Sequence, residues 1–199
     1  MARINSKKKG NSFELALSKD FKILFDDEGF MRSPSSGALF GQSNRYRMQG
    51  IAEGFAHQVI GDLVVPENFP FSIECKAYGE LDFHNIINGK CSKLDEWIVQ
   101  AEDDALASKK EMLIVIKINH KGKYVCTRNL ELLDKRNVSH LDNVLKYKND
   151  YFFYSYKEFE AIANEMTLIK EWKDDSINNK KGEQNGWNNG TNNGKDGNG

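Results

Sequence analysis

Asp62 and the run Glu74-Cys75-Lys76 are the residues of this chain whose types and spacing could do chemistry together. Two carboxylates and one ammonium brought to a point form a hard-oxygen site with a cation beside it, the kind of donor set that suits Mg²⁺. Such a site can polarise a phosphodiester and lower the pKa of a bound water. Asp62 opens the apolar run Leu63-Val64-Val65, and a second run, Phe71-Ser72-Ile73, leads into Glu74. The segment Pro66-Glu67-Asn68-Phe69-Pro70 between them predicts a hairpin with its prolines confined to the turn. Alternate side chains of a strand share a face, so Glu74 and Lys76 project together while Ile73 and Cys75 point the other way. A Glu and a Lys interrupting an apolar strand are costly unless they pair or bind a metal.

The elements that must position these groups follow from periodicity. Phe13, Leu17, Phe21, Leu24 and Phe25 keep a helical period after a cap at Asn11 or Ser12, and Gly29 supplies a stop. Glu14 lies at the edge of that apolar stripe, from where a carboxylate can reach the active end of the sheet. A second helix, about 93–109, carries Leu94, Trp97, Ile98, Ala101, Ala105 and Leu106 on one face. Gln100 flanks this face and reads either as a hydrogen-bond partner of the site lysine or DNA or as an ordinary polar helix residue. The acidic run Glu102-Asp103-Asp104 reads as solvated surface. Residues 112–118 and 123–127 predict a hairpin around Asn119-His120-Lys121-Gly122, and 151–155 a further strand. Ser155 and Glu158 form a capping-box pair ahead of a helix with Phe159, Ile162, Ala163, Met166 and Ile169. From Lys173 the chain is rich in Asn, Gly and Lys with no apolar period, which predicts a domain over 1–172 and a disordered tail over 173–199.

Several pieces stand in a telling order: Lys9-Gly10 with Glu14, then Gly29-Phe30 with Arg32, Pro34, Ser36 and Gly37, then Gly61-Asp62, then Glu74 with Lys76, then Gln100-Ala101-Glu102 before the apolar run Met112 to Lys117. The arrangement resembles the archaeal-type Holliday junction resolvases and their phage relatives, members of the PD-(D/E)xK nuclease superfamily, over roughly residues 7–120. The resemblance implies an α/β restriction-endonuclease-like fold with a mixed central β-sheet flanked by helices. It implies a catalytic centre of Glu14, Asp62, Glu74 and Lys76, with Ser36 on a loop near the scissile phosphate and Arg32 on the DNA backbone. Mg²⁺, for which Mn²⁺ would substitute, would be held by Asp62, Glu74 and the main-chain carbonyl of Cys75. A four-way junction has two-fold symmetry and needs two equivalent nicks, so the resemblance also implies a homodimer. The chain departs from the family between Gly37 and Gly61, where the added segment 38–60 carries Arg45, Arg47, Glu53 and His57.

Composition bounds the remaining classes. With 199 residues, 39% of them hydrophobic, the chain can bury one core of ordinary size. No apolar run is long enough to cross a bilayer and no signal-type core follows the first lysines, which predicts a cytoplasmic protein, in the host cytoplasm if phage-encoded. Cys75, Cys91 and Cys126 form no C-x-x-C pair, which argues against a disulfide framework or a zinc site, and Cys75 reads as a small buried hydrophobe. The net charge of −1 hides an uneven distribution: residues 1–58 hold nine Lys/Arg against six acids. Lys7, Lys8 and Lys9, with the Arg45/Arg47 pair around Tyr46, suit contacts with DNA phosphates. Branched DNA is the expected partner. A PD-(D/E)xK nuclease of restriction, repair or recombination type would share the catalytic residues, while a non-catalytic DNA-binding module would bind without cutting and a scaffold protein would do neither.

Overall fold

A computed structural model describes residues 6–33, 60–128 and 143–188. Helix α1 (Ser6–Phe25) leads to the short strand β1 (Met31–Arg32). Strands β2 (Leu63–Val64) and β3 (Phe71–Tyr78) follow, then helices α2 (Phe83–Ile87) and α3 (Ser92–Ser108). Next come β4 (Glu111–Ile118), β5 (Gly122–Thr127), β6 (Leu145–Tyr147) and β7 (Tyr151–Ser155). The described chain ends with α4 (Tyr156–Ile162), a 3₁₀ turn (Ala163–Glu165) and α5 (Thr167–Asn188).

The central sheet is mixed, with strand order β3-β4-β5-β7-β6. β3 and β4 run parallel in the register Phe71 with Glu111 through Tyr78 with Ile118, and the other pairs are antiparallel. A parallel pair needs a crossover, which α2 and α3 provide. The five residues Met112 to Ile116 of β4 are all buried, as a strand covered on both faces requires. On one face Phe13, Leu17, Phe21 and Phe25 of α1 pack with Ile73, Cys75, Leu113, Val115, Val125 and Tyr154. On the other, Leu94, Trp97, Ile98 and Ala101 of α3 pack with Ile114, Ile116, Cys126 and Phe153. The result is an α/β chain with a five-stranded mixed sheet between helical layers.

Four sequence expectations change in detail. The segments around Leu63 and Phe71 do not form a hairpin: β2 pairs antiparallel with β1, Arg32 opposite Leu63 and Met31 opposite Val64. Prolines 66 and 70 bring no N–H to a ladder, and buried Phe69 folds the connection into the α1-side core instead. α1 starts at Ser6 rather than at Asn11 or Ser12, so the lysine run lies in its first turn, and the Ser12 hydroxyl bonds back to the Lys8 carbonyl at 2.8 Å. Its stop is Asp26, in the left-handed region at φ 55°, while the Gly29 N–H donates to the Asp27 carboxylate at 2.7 Å. On α3, Leu106 is 82% exposed and Ser108 takes the buried place, its hydroxyl bonding back to the Asp104 carbonyl.

At the end of the chain the Ser155/Glu158 capping box forms, but the helix it opens breaks at the 3₁₀ turn before α5 begins. α5 runs through Lys173 to Asn188, into the span read from the sequence as a tail. Buried Trp172 anchors the helix by packing on Phe69 and Phe25 and donating from Nε1 to the Glu67 carbonyl at 3.0 Å. The residues beyond it extend a helix already nucleated.

Candidate active site at the β3 edge

β3 is the edge strand of the central sheet, and its free side is where the chemistry gathers. Gly61 makes the approach possible. At φ +101° it adopts a backbone that side chains rarely take, and a Cβ there would lie 2.8 Å from the Ile73 carbonyl oxygen. The next residue is pinned from three sides: the Asp62 N–H donates to the Ile73 carbonyl at 2.9 Å, the Ser33 N–H to the Asp62 carbonyl at 3.0 Å, and the Cys75 N–H to Asp62 Oδ2 at 2.8 Å. Asp62 thus meets Glu74 and Lys76 as the hairpin reading required, but through a loop clamped between β1 and β3. A strand residue directs its N–H and C=O to the same side, so the Cys75 carbonyl also faces this free edge.

Glu74 and Lys76 lie together on the α3 face of β3, as alternation demands. Glu74 is only 3% exposed. The Lys76 ammonium donates to Glu74 Oε1 and, at 2.8 Å, to Gln100 Oε1 from α3. Gln100 therefore holds the lysine from α3. Glu14 arrives from α1, 7% exposed, and takes the Arg32 Nε at 2.7 Å, so Arg32 spans from β1 to the helix. Cys75 turns into the α1-side core, where burial pushes its thiol well above the usual range, so that it serves as a small hydrophobe.

The electrostatics are those of carboxyls taken out of water. Burial raises Asp62 to about 6, against the opposing Cys75 N–H bond. Burial and the neighbouring Asp62 raise Glu74 to about 8 despite Lys76. Asp104 belongs to the same field, contrary to its expected place on the solvated surface. It is half-buried one helical turn beyond Gln100, is itself raised by burial and by Asp103, and adds to the upward pressure on Asp62 and Glu74. The i, i+4 spacing from Gln100 was the available signal, masked by the acidic run around it.

These groups could hold a metal. No three His, Cys, Asp or Glu side chains among the described residues gather closely enough to encircle an ion. The set on offer is two carboxylates and a strand carbonyl, with waters to complete the shell, as Mg²⁺ commonly accepts. Two neighbouring carboxyls that burial pushes toward their neutral forms are the donor chemistry a divalent cation relieves. Of the expected DNA contacts, Lys8 is exposed and Lys9 half-buried, while the side chain of Lys7 and all of Ser36, Arg45, Arg47 and the segment 38–59 lie outside the described residues.

Comparison with known proteins agrees with this geometry in kind. No curated protein and no solved structure matches the chain. A family model described as "Phage putative PDDEXK endonuclease" matches residues 5–179, an interval that takes in α1, the β3 edge, the whole sheet and the start of α5. With the match extending over most of its length, the chain belongs to the phage PDDEXK endonuclease family.

Proposed function

We propose that this protein is a Mg²⁺-dependent, structure-selective DNA endonuclease that resolves Holliday junctions or related branched DNA, working as a homodimer. The single observation that carries the metal-dependent chemistry is the convergence of Asp62, Glu74 and Lys76 at the edge strand β3, with both carboxyls pushed toward neutrality by burial despite Lys76. Asp62, Glu74 and the Cys75 carbonyl would hold Mg²⁺, with Mn²⁺ able to replace it. When bound, the ion would supply Lewis-acid charge at the scissile phosphate and acidify water beside it.

The chain's own residues do the rest. Lys76, aimed by Gln100, orients the attacking water and stabilises the charge that develops on the phosphoryl oxygens. Glu14 supports water on the α1 side, and its ion pair with Arg32 keeps a guanidinium at the mouth of the site for the DNA backbone. The bond is cut by in-line displacement, water adding to phosphorus as the leaving sugar oxygen departs. Junction preference rests on the resemblance of the motif order to the junction resolvases, and the two-fold symmetry of a junction supports the dimer.

Incubating the protein with a synthetic immobile four-way junction, a fork, a linear duplex and a single strand, with and without Mg²⁺ or Mn²⁺, tests this reading. Metal-dependent nicking of the junction and fork ahead of the duplex is expected. Equal cutting of the linear duplex would make it a nuclease of restriction, repair or recombination type, and binding without cutting would make it a non-catalytic DNA-binding module.

A further inference from the structure

Lys117 sits at the active end of the sheet, on the opposite face from Lys76, without a neutralising partner among the described residues. On β4 it lies opposite Ala77 of β3 and opposite Lys123 of β5, in one row across three strands. Two lysines directly opposed in an antiparallel pair repel each other. Among the described residues only one of them is neutralised: Lys123 binds Asp20 Oδ2 at 2.7 Å and lies over the Tyr156 ring. Lys117 is exposed, its Nζ stands 5.9 Å from the centroid of the Phe13 ring, and among the described residues it has no ion-pair partner.

Phe13 is the residue before Glu14, so this ammonium stands beside the catalytic corner of α1. Lys9 is four residues earlier on the same helix face, one turn above Phe13. It too lacks an ion-pair partner among the described residues. Exposed Lys117 thus stands over the Phe13 ring, with half-buried Lys9 one turn away on the same helix. Neighbouring strands are about 4.8 Å apart, so the row holding Lys117 lies one strand inward from the β3 edge.

Resting on the nuclease reading above, we infer that Lys117, with Lys9, binds a backbone phosphate next to the scissile one, on the α1 side of the sheet end. A strand whose scissile phosphate lies at the edge of β3 passes over this point as it crosses toward β4. The unneutralised cation and the like-charge pair are then features that a polyanion relieves. Sequence reading assigned Lys117 only to a strand, because its place opposite Ala77 and beside Phe13 depends on the sheet register.

The test measures affinity of the full chain for a labelled four-way junction and a linear duplex in EDTA, over a series of salt concentrations. Lys117→Gln should weaken binding several-fold at low salt and reduce the slope of log affinity against log salt by about 0.9, one phosphate contact. Lys117→Arg should restore the slope, and Lys146→Gln, on β6 at the far edge of the sheet, should leave it unchanged. Circular dichroism melts of each variant establish that it is folded. An unchanged slope for folded Lys117→Gln, beside a salt-dependent wild type, overturns the inference. A wild type without salt-dependent affinity for either DNA overturns the nuclease reading on which the inference rests.

Discussion

Burial sets the charge state of Asp62 and Glu74 before any ligand arrives. Both carboxyls have folded-state values above their unfolded ones, about 6 for Asp62 and about 8 for Glu74, so the folded chain binds more protons than the unfolded chain between roughly pH 4 and 8. Stability from these groups must therefore fall as the pH rises through that window, the reverse of an ion-paired surface carboxylate. In EDTA the melting temperature should drop by a few degrees between pH 5.5 and 8.5, since about 1 kcal/mol moves a chain of this size by roughly 2–4 °C. Mg²⁺ should recover the loss, and more fully at the higher pH, because a cation competes with the protons for the same oxygens. Melting curves at the two pH values with and without Mg²⁺ check this, and a Mg²⁺ effect that is absent or larger at low pH would deny the metal site. At this scale the identities of Asp62, Glu74 and Lys76 were legible because a carboxylate and an ammonium stand out in an apolar strand. Asp104 was not, because its surroundings depend on how α3 lies against β3.

The element that makes the site is the edge of β3 with the loop clamped onto it. An edge strand offers unpaired N–H and C=O groups, and here Gly61-Asp62 covers part of that edge with a backbone bond at Ile73 and a carboxylate bond at Cys75. Gly61→Ala would place a Cβ 2.8 Å from the Ile73 carbonyl and force an unfavourable φ, costing about 1–3 kcal/mol and pushing Asp62 off the strand. A misplacement of about 1 Å can cost roughly 100-fold in rate, so cleavage should fall by that order even in protein that remains folded. Activity measured below the melting temperature tests this, and wild-type turnover by a folded Gly61→Ala chain would show that the clamp does not position Asp62. The sequence shows the glycine, the aspartate and the apolar runs around them. It does not show that β2 pairs with β1, because a two-residue strand is chosen by its tertiary neighbours, and adjacency in the chain pointed to a hairpin.

Across the whole molecule the sheet separates two cores, and the site forms where both helical layers reach the same strand edge: α1 delivers Glu14 from one face and α3 delivers Gln100 from the other. The strong periodicities of α1, α3, β4 and β5 made this layering legible. The strand order did not follow from periodicity, and neither did the continuation of α5, since Trp172 holds that helix through contacts with residues about a hundred positions earlier. In the proposed mechanism Asp62 and Glu74 hold a catalytic metal rather than build the fold or bind the DNA. Junction cleavage with Mg²⁺, measured alongside junction binding in EDTA for Asp62→Asn and Glu74→Gln, tests it most directly. Each variant should cut at least about 100-fold more slowly, having lost one preorganised charge at the transition state. Each should bind as tightly as the wild type or more so, because the removed charge repels the backbone and phosphate contacts lie elsewhere. Near wild-type cleavage by either variant would contradict the claim.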